Sequence, residues 1–322
     1  MIPLITLEEH FFASFIGRNP FYVEQFKWAP GIAEKLTDIG HLRLQEMDKG
    51  SISLQIVSHG PGLGSAPAEE SRRANDELHA AVKREGGKRF AGFAALPMGA
   101  PDQAAVELRR AVQELGFVGA LVDNHVQGKM YDREEYRGFF EVVQELDVPI
   151  YLHPTWPEEE FAVRFKGNFT DGAAASLGSS GFGWHVDVGL HVLKLYASGL
   201  FDQFPKLKII IGHMGETLPF MHERIAQLSQ RWGPLKRSWK EVYDENIWIT
   251  TSGVWSVNPM ATILRNTRID KILYSVDYPF AKNEDGLHFM EELEKSGLVT
   301  KEEFEKIGYK NAEALMKVTV QQ

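Results

Sequence analysis

The chain has 322 residues, of which 43% are hydrophobic and 25% charged, a composition typical of a globular protein with a sizeable core. Its formal net charge of −9, with no lysine/arginine cluster, argues against nucleic acid as a partner. The absence of cysteine excludes disulfides and thiolate metal sites, so any metal must be held by histidine and carboxylates. No apolar run approaches the roughly 20 residues that cross a bilayer, and no secretory pattern opens the chain, which predicts a cytoplasmic protein without membrane association.

Eight short runs rich in β-branched residues are the predicted strands. Several are apolar without alternation, as is typical of parallel strands that are covered on both faces. In chain order they are Ile2–Leu7, Ser53–Ser58, Phe90–Leu96, Phe117–Val122, Val148–Leu152, Leu207–Ile211, Ile247–Thr251 and Ile272–Val276.

Longer stretches with apolar residues at helical spacing separate most of these strands. They are Ala68–Glu85, Ala100–Glu114, Glu134–Leu146, His185–Ser198, Thr217–Gln230, Pro259–Asn266, Gly286–Lys295 and Lys301–Met316. This alternation predicts an α/β protein, a (β/α)8 TIM barrel formed by residues 1–322 as a single domain, with insertions over the C-terminal face of the barrel. A doubly wound open sheet is the structural alternative, but it does not readily bring together the ends of its first, fifth, sixth and last strands.

Two long segments interrupt the alternation. Phe11–His41 follows the first strand and is rich in aromatic residues, while Trp156–Trp184 follows the fifth and is rich in glycine. Loops of this length are usually functional or mobile. We expect both to form the walls and lid of a substrate pocket at the barrel mouth, with surface insertions away from the site as the alternative.

Polar residues that can bind a metal or carry a proton follow four of the predicted strands. In a parallel barrel the C-terminal strand ends meet around the active site, so the pattern predicts a shared metal or acid–base site. Histidine combined with carboxylates suits Zn²⁺ or Mn²⁺, and Mg²⁺ less well. The residues are Glu8 and His10 after the first strand, His153 after the fifth, His213 after the sixth and Asp277 after the eighth.

Neighbours of these residues are expected to play distinct parts. Side chains alternate along a strand, so Glu8 and His10 share one face and can reach one ion, while Glu9 points away and has a structural role. Glu216 follows His213 by three residues at a strand-to-helix junction, where a carboxylate can fix the imidazole tautomer and raise its basicity.

Four more residues remain open at this level. Arg224 lies about two helical turns beyond Glu216 and either binds a substrate carboxylate or forms a surface salt bridge. His59, His125 and His185 either face the pocket or are surface or structural residues. A surface or structural role is favoured for His59.

Together, these motifs resemble those of the amidohydrolase superfamily, and within it the metal-dependent decarboxylases of ortho-hydroxybenzoates such as γ-resorcylate and 2,3-dihydroxybenzoate decarboxylase. The resemblance runs over almost the whole chain. It covers Leu7–Phe11, Phe90–Pro97, Leu115–Leu121, Val148–Pro154, Ala197–Asp202, Ile211–Glu216 and Ser275–Phe280.

The resemblance implies one divalent metal ion, with Zn²⁺ expected first and Mn²⁺ or Mg²⁺ as alternatives. Its ligands would be Glu8, His10, His153 and Asp277. His213, held by Glu216, and Asp277 would be catalytic, and Arg224, Asn124 and Phe280 would bind the substrate. The chain departs from many amidohydrolases by having glutamate at the start of its first motif, and no lysine is evident as a bridging ligand, which favours one metal over two.

The expected reaction is the loss of CO₂ from an aromatic acid that carries a hydroxyl ortho to its carboxylate. The metal would orient the ring, and Asp277 or His213 would protonate the ring carbon that bears the carboxylate. Candidates to pack against the ring are Phe11, Phe12, Phe21, Trp28, Trp156, Trp184 and Phe280.

Two other functions use the same features. The metal site could activate water to hydrolyse an aromatic ester or lactone, with Asp277 as general base. A non-catalytic binding protein built on a decayed barrel is the third reading. A homo-oligomer, dimer or tetramer, is expected from the resemblance.

Overall fold

The computed structural model describes residues 2–16 and 31–320. Within them, eight parallel strands form one sheet in the order of the sequence, with neighbouring strands hydrogen-bonded from the first to the last. The expected (β/α)8 barrel is confirmed. The strands are β1 (Ile5–Phe11), β2 (Leu54–His59), β3 (Phe90–Ala94), β4 (Gly119–Asp123), β5 (Ile150–His153), β6 (Ile209–Ile211), β7 (Ile247–Thr250) and β8 (Ile272–Leu273).

Helices lie between successive strands, and the part of the chain that the structure describes contains no helix long and apolar enough to cross a membrane. The long helices were predicted to within a few residues, except that a π turn at Lys306–Lys310 divides the last one. The helices are α1 (Ile32–Thr37), α2 (His41–Lys49), α3 (Ala68–Arg84), α4 (Pro101–Gln113), α5 (Arg137–Leu146), α6 (Glu159–Ala162), α7 (Asp171–Gly178), α8 (Gly183–Ala197), α9 (Leu200–Gln203), α10 (Leu218–Leu228), α11 (Trp239–Asn246), α12 (Val257–Asn266), α13 (Asn283–Lys295), α14 (Lys301–Glu305) and α15 (Asn311–Met316).

The buried apolar residues form two clusters, one inside the barrel and one between its wall and the helices. Residues Tyr309, Leu315 and Met316 of the C-terminal segment join the interior cluster. The interior is therefore a packed core, and the polar residues that follow the strands are left to build a site at the other end.

An irregularity in β1 decides which of its residues face the barrel interior. Thr6 pairs with Gln55 but Glu9 pairs with Val57, so β1 carries one extra residue between these pairs. Such a bulge shifts the alternation of side chains. Leu7 therefore belongs to the interior cluster, yet Glu8, next to it in sequence, reaches the site together with His10.

Glu9, on the opposite side of β1, joins this strand to the segment that follows β8. Its Oε1 accepts hydrogen bonds from Ser275 Oγ at 3.1 Å and Val276 N at 3.0 Å, and its Oε2 accepts one from Tyr278 N at 3.0 Å. His10 N donates to Tyr278 O at 2.7 Å across the same gap. Burial raises the pKa of Glu9 to about 8, even though these hydrogen bonds favour the carboxylate. The structural role expected for Glu9 is thus the closure of the barrel beside Asp277.

Candidate active site

Four side chains from the C-terminal ends of β1, β5 and β8 converge on one point. One potential ligand atom from each of Glu8, His10, His153 and Asp277 lies within 4.8 Å of the other three. Glu8 Oε1 is 3.3 Å from His153 Nε2, and His10 Nε2 is 3.3 Å from Asp277 Oδ1. Two imidazoles and two carboxylates at these separations form a suitable set for a divalent cation such as Zn²⁺ or Mn²⁺.

The hydrogen bonding of this cluster gives an independent test of the fit. Among the described residues, Glu8 Oε1, His10 Nε2 and Asp277 Oδ1 are buried and have no hydrogen-bond partner. Buried polar atoms are nearly always satisfied, and leaving one without a partner costs about 1–3 kcal/mol. Three such atoms that face one another are explained by a cation that binds all of them.

Outer contacts orient the ligand atoms. His153 Nδ1 donates to Pro154 O at 2.7 Å, which directs Nε2 into the cluster. Glu8 Oε2 accepts hydrogen bonds from Tyr151 Oη and Ser252 Oγ, which leaves Oε1 for the cluster. Arg43, which is buried, donates to the backbone oxygen of His10.

The two carboxylates of the cluster have opposite ionisation behaviour. Burial alone would raise the pKa of Glu8, but the positive charges of His213 and His153 outweigh it and hold that pKa well below its ordinary value. Burial and the charge of Glu8 raise the pKa of Asp277 to about 8. Without a cation, Asp277 therefore keeps its proton near neutral pH, and a bound cation would reverse this preference.

A hydrogen-bonded chain of three residues adjoins the cluster. Glu216 Oε1 is 2.7 Å from His213 Nδ1, and Glu216 Oε2 is 2.7 Å from His185 Nδ1. His213 Nε2 lies 3.7 Å from Glu8 Oε1. Burial would lower the pKa of His213, but the carboxylates of Glu216 and Glu8 outweigh it and raise that pKa to about 10. His213 therefore holds a proton near neutral pH, and its Nε2 faces the cluster.

The backbone around these residues is strained. His213, Glu216 and Asp277 have φ angles of 48°, 52° and 78°, in the left-handed region that residues other than glycine rarely adopt. Each such residue costs on the order of 1–3 kcal/mol, and clusters of them are typical of functional sites.

Three residues were expected to bind substrate. In the part of the chain that the structure describes, Phe280 is the one of the three that contacts a residue of the ligand cluster. Its ring is half exposed and centred 5.8 Å from that of His10. Asn124 is buried, and its Oδ1 accepts a hydrogen bond from His191 Nδ1 at 3.0 Å, which gives it a structural contact. Arg224 is exposed on α10 and has no hydrogen bond or ion pair to the described residues.

The aromatic candidates are also divided. Phe11 and Phe12 are buried in the core, with ring centroids 5.2 and 5.3 Å from that of His59. Trp156 and Trp184 contact each other, with centroids 5.1 Å apart. Phe21 and Trp28 lie outside the described residues, as does much of the Phe11–His41 segment.

The Trp156–Trp184 segment begins at the mouth of the barrel, next to the end of β4. Trp156 lines a cavity of about 360 Å³ together with Asp123 and His125. His125 Nδ1 accepts from Gly128 N at 3.2 Å, which gives this histidine a local structural contact. His59 Nδ1 contacts Gly60 O at 2.7 Å in the core, consistent with the structural role that was favoured for it.

Sequence reasoning missed Tyr151 and Ser252 and left His185 unassigned. Tyr151 precedes His153 by two residues in β5, so strand alternation was a signal that both face the interior. Ser252 and His185 belong to no motif, and their contacts with Glu8 and Glu216 join residues that are far apart in the chain.

Comparisons with known proteins identify the family of this chain. A model of the amidohydrolase family matches residues 53–318. The decarboxylase orsB of Emericella nidulans is 51% identical over 322 residues, which cover 98% of this chain and 97% of the relative. The γ-resorcylate decarboxylase of a Polaromonas species is 37% identical over 333 residues, which cover 98% of both chains.

Solved structures extend the likeness to three dimensions. The dihydroxybenzoic acid decarboxylase of a Polaromonas species, with bound manganese and the inhibitor 2-nitroresorcinol, superposes with a TM-score of 0.88 at 36% identity, over 98% of this chain and 97% of that one. A 2,6-dihydroxybenzoate decarboxylase in complex with 2,6-dihydroxybenzoate gives a TM-score of 0.87 at 34% identity, over 99% of this chain and 100% of that one.

Proposed function

Because the chain belongs to the amidohydrolase family, we infer that it is a metal-dependent, non-oxidative decarboxylase of an aromatic acid with a hydroxyl ortho to the carboxylate. The family expected from the sequence motifs is confirmed. As a carboxy-lyase of this family, the enzyme releases CO₂, and its decarboxylase relatives favour this reaction over the hydrolysis of an ester or lactone.

The observation that carries the proposal is the convergence of Glu8, His10, His153 and Asp277 with three buried atoms that lack a partner among the described residues. We propose these four residues as the ligands of one divalent ion. When bound, the ion would act as a template and Lewis acid for the carboxylate and ortho oxygen of the substrate.

The protein side chains would then supply the proton. His213, whose pKa is raised to about 10, can hold a proton near neutral pH and is the first candidate donor. Asp277 is the second candidate, although a cation bound to it would favour its carboxylate form. One of them protonates the ring carbon that bears the carboxylate. The bond from that carbon to the carboxylate then breaks, its electron pair restores the aromatic ring, and CO₂ leaves.

Glu216 and Phe280 would assist without exchanging atoms with the substrate. Glu216 holds the Nδ1 side of His213, so that Nε2 remains directed at the cluster. Phe280 offers a ring face next to His10, against which a flat substrate can pack. A direct substrate contact stays a prediction for Arg224 and Asn124; the exposure of Arg224 and the His191 partner of Asn124 give neither one support.

For the metal, we propose Mn²⁺ ahead of the Zn²⁺ that the sequence put first. Both accept imidazole and carboxylate ligands. The solved Polaromonas decarboxylase contains manganese, which supports Mn²⁺ for a chain that is 36% identical to it. To test this choice, the metal is removed with a chelator and each ion is added back separately. Only the native ion should restore full activity without being added in excess of the protein.

We also propose that the chain forms a homo-oligomer. The described surface of α8 and α10 exposes the apolar side chains of Val186, Leu190, Phe220 and Met221, and Phe220 is 80% exposed. Exposed apolar groups of this kind are typical of protein–protein contacts. Light scattering should give a mass of two or four chains, and a single-chain mass would contradict this. A single domain over residues 1–322 and a cytoplasmic location stay predictions.

A substrate panel tests the reaction. Purified, metal-loaded protein should release CO₂ from 2,6-dihydroxybenzoate or another ortho-hydroxybenzoate, and not from benzoates that lack the ortho hydroxyl. In D₂O the product should carry one deuterium at the vacated carbon. Turnover of aryl esters or lactones, with no CO₂ from any acid in the panel, would overturn the proposal in favour of hydrolysis.

A further inference from the structure

Glu216 is fully buried, and each of its two oxygens has an imidazole partner. The partner of Oε1 is His213, which faces the ligand cluster. The partner of Oε2 is His185, the third residue of α8, at the same distance of 2.7 Å. The His185 and His213 rings also contact each other, with centroids 4.7 Å apart. His185 therefore reaches the proposed acid through one intermediate carboxylate.

The second ring nitrogen of His185 is engaged as well. His185 Nε2 lies 2.9 Å from the backbone oxygen of Ser180, which can only accept a hydrogen bond. Burial would raise the pKa of Glu216, but the charge of His213 and the hydrogen bond from His185 outweigh it and lower that pKa. The carboxylate oxygen of Glu216 and the Ser180 carbonyl therefore hold the His185 ring between them, one at each ring nitrogen.

The turn that presents Ser180 to His185 depends on close backbone approach. A Cβ on Gly181 would lie 2.6 Å from Ser176 O, and a Cβ on Gly183 would lie 2.6 Å from Gly178 O. Neither distance is tolerated by real side chains, so the two glycines let the chain fold back tightly. Gly181 N donates to Ser176 O at 2.9 Å within this turn. The Ser180 carbonyl is thus held in place by the local fold.

We propose that His185 is a positioning residue for the decarboxylation, an inference that rests on the proposed function. By occupying Glu216 Oε2, it keeps Oε1 against His213 and so maintains the orientation of the His213 ring. A buried carboxylate oxygen that loses its donor costs about 1–3 kcal/mol, so Glu216 without His185 would rotate or recruit water. His185 also connects the turn around Ser180 to the reacting end of the site.

The test replaces His185 in two ways. Asn places an amide donor near the position of Nδ1, whereas Leu removes the donor at similar volume. H185L should lower kcat by about 10-fold, at the low end of what the loss of an orienting partner costs, with KM and metal content within about twofold of the unmodified enzyme. H185N should recover most of kcat. H79L is the matched control, since His79 is part-buried, bonds to the backbone oxygen of Leu115 and lies on α3 away from the site.

The same replacement in an E216L background, which has no acceptor for His185, separates positioning from a general structural role. If His185 acts through Glu216, H185L should change kcat less than about twofold once Glu216 is gone. An equal loss in both backgrounds, or an unchanged kcat in H185L, would overturn the proposal. If H185L does not fold, H185A takes its place in the same comparison with H185N.

Unfolding measurements on the unmodified protein, on the two single variants at His185 and Glu216 and on the double variant need no substrate. The effects of H185L and E216L on the free energy of unfolding should be non-additive, because the two side chains share one buried hydrogen bond. Additive effects would contradict the contact itself. Wild-type protein that releases no CO₂ would overturn the proposed function and, with it, the role of His185 in that reaction, whereas the unfolding cycle would still judge the contact.

Discussion

The two oxygens of Glu8 have different partners. Oε1 faces the ligand cluster, while Oε2 accepts hydrogen bonds from Tyr151 and Ser252. Tyr151 Oη in turn lies 3.0 Å from Thr250 Oγ1. This small network holds the carboxylate in one orientation, so Tyr151 is expected to affect the proposed metal site.

Replacing this tyrosine is therefore expected to weaken metal binding. Y151F removes one donor to Glu8 Oε2, and the loss of such a partner typically costs 10- to 100-fold in metal affinity. Competition with a fluorescent chelator measures the affinity. Y243F is the control, since Tyr243 is buried and hydrogen-bonded to Thr267 outside the site. An unchanged affinity in Y151F would show that the network does not orient Glu8.

At the scale of elements, the backbone after β6 passes very close to the Glu8 carboxylate. A Cβ on Gly212 would lie 2.9 Å from both Glu8 Oε2 and Tyr151 Oη. Glycine at this position therefore leaves the room that the Glu8 network needs, and the end of β6 shapes the site without contributing a ligand there.

Adding one methyl group at this point should displace Glu8. G212A is expected to lower metal occupancy and CO₂ release by at least about 10-fold, as for the loss of an orienting partner. G138A is the matched control, because a Cβ on Gly138 in α5 meets nothing within 4 Å and alanine favours a helix. Full metal occupancy in G212A would contradict the account.

The junction between β1 and the end of β8 depends on Glu9. In E9Q, the amide can accept through one atom only and turns a donor toward a backbone N–H. Above about pH 8, where Glu9 is ionised and can only accept, we expect the free energy of unfolding to fall by about 1–3 kcal/mol, since at least one buried donor loses its acceptor. Denaturant unfolding of E9Q and of E77Q, whose glutamate accepts from Ser14 N at an exposed site, provides the comparison. Equal stability of the two variants would exclude the proposed role of Glu9 in barrel closure.

For the whole molecule, buried neutral histidine predicts a loss of stability in acid. Burial lowers the pKa of His191 to about 3 from an ordinary value of 6.5. Between these pH values the unfolded chain binds a proton that the folded chain excludes, so stability rises with pH and is lost as pH falls through this window. One such group contributes a slope of about 1.4 kcal/mol per pH unit.

H191Q should reduce that slope. The free energy of unfolding, measured at pH 4, 5 and 6, should depend less steeply on pH in H191Q than in the unmodified protein. The difference in slope should correspond to roughly one bound proton. Gln keeps an acceptor for Tyr131 N, which His191 Nε2 provides at 2.9 Å. Equal slopes for the two proteins would contradict a neutral His191 in the fold.

The order of strands and helices was predictable because period-2 and period-3.6 patterns are properties of local sequence. The ligand residues were recognisable for a related reason: parallel strands end at one face of a barrel. The interior position of Glu8 depends on a bulge, which the sequence does not signal. The partner of Asn124 is His191, 67 residues away, so its burial followed only from tertiary packing. The contacts of His185 could not be predicted either, because they depend on the turn at Ser180.

The most direct measurement of the central claim combines metal content and CO₂ release on the same preparations of three proteins. These are the unmodified chain, D277N and the control D270N, whose aspartate pairs with Arg268 on the surface. The account predicts about one metal per chain and CO₂ release from an ortho-hydroxybenzoate in the first and third. In D277N it predicts a loss of release of at least about 100-fold, because Asp277 is a proposed ligand of the ion that acts as Lewis acid. CO₂ release by D277N at the unmodified rate would contradict it.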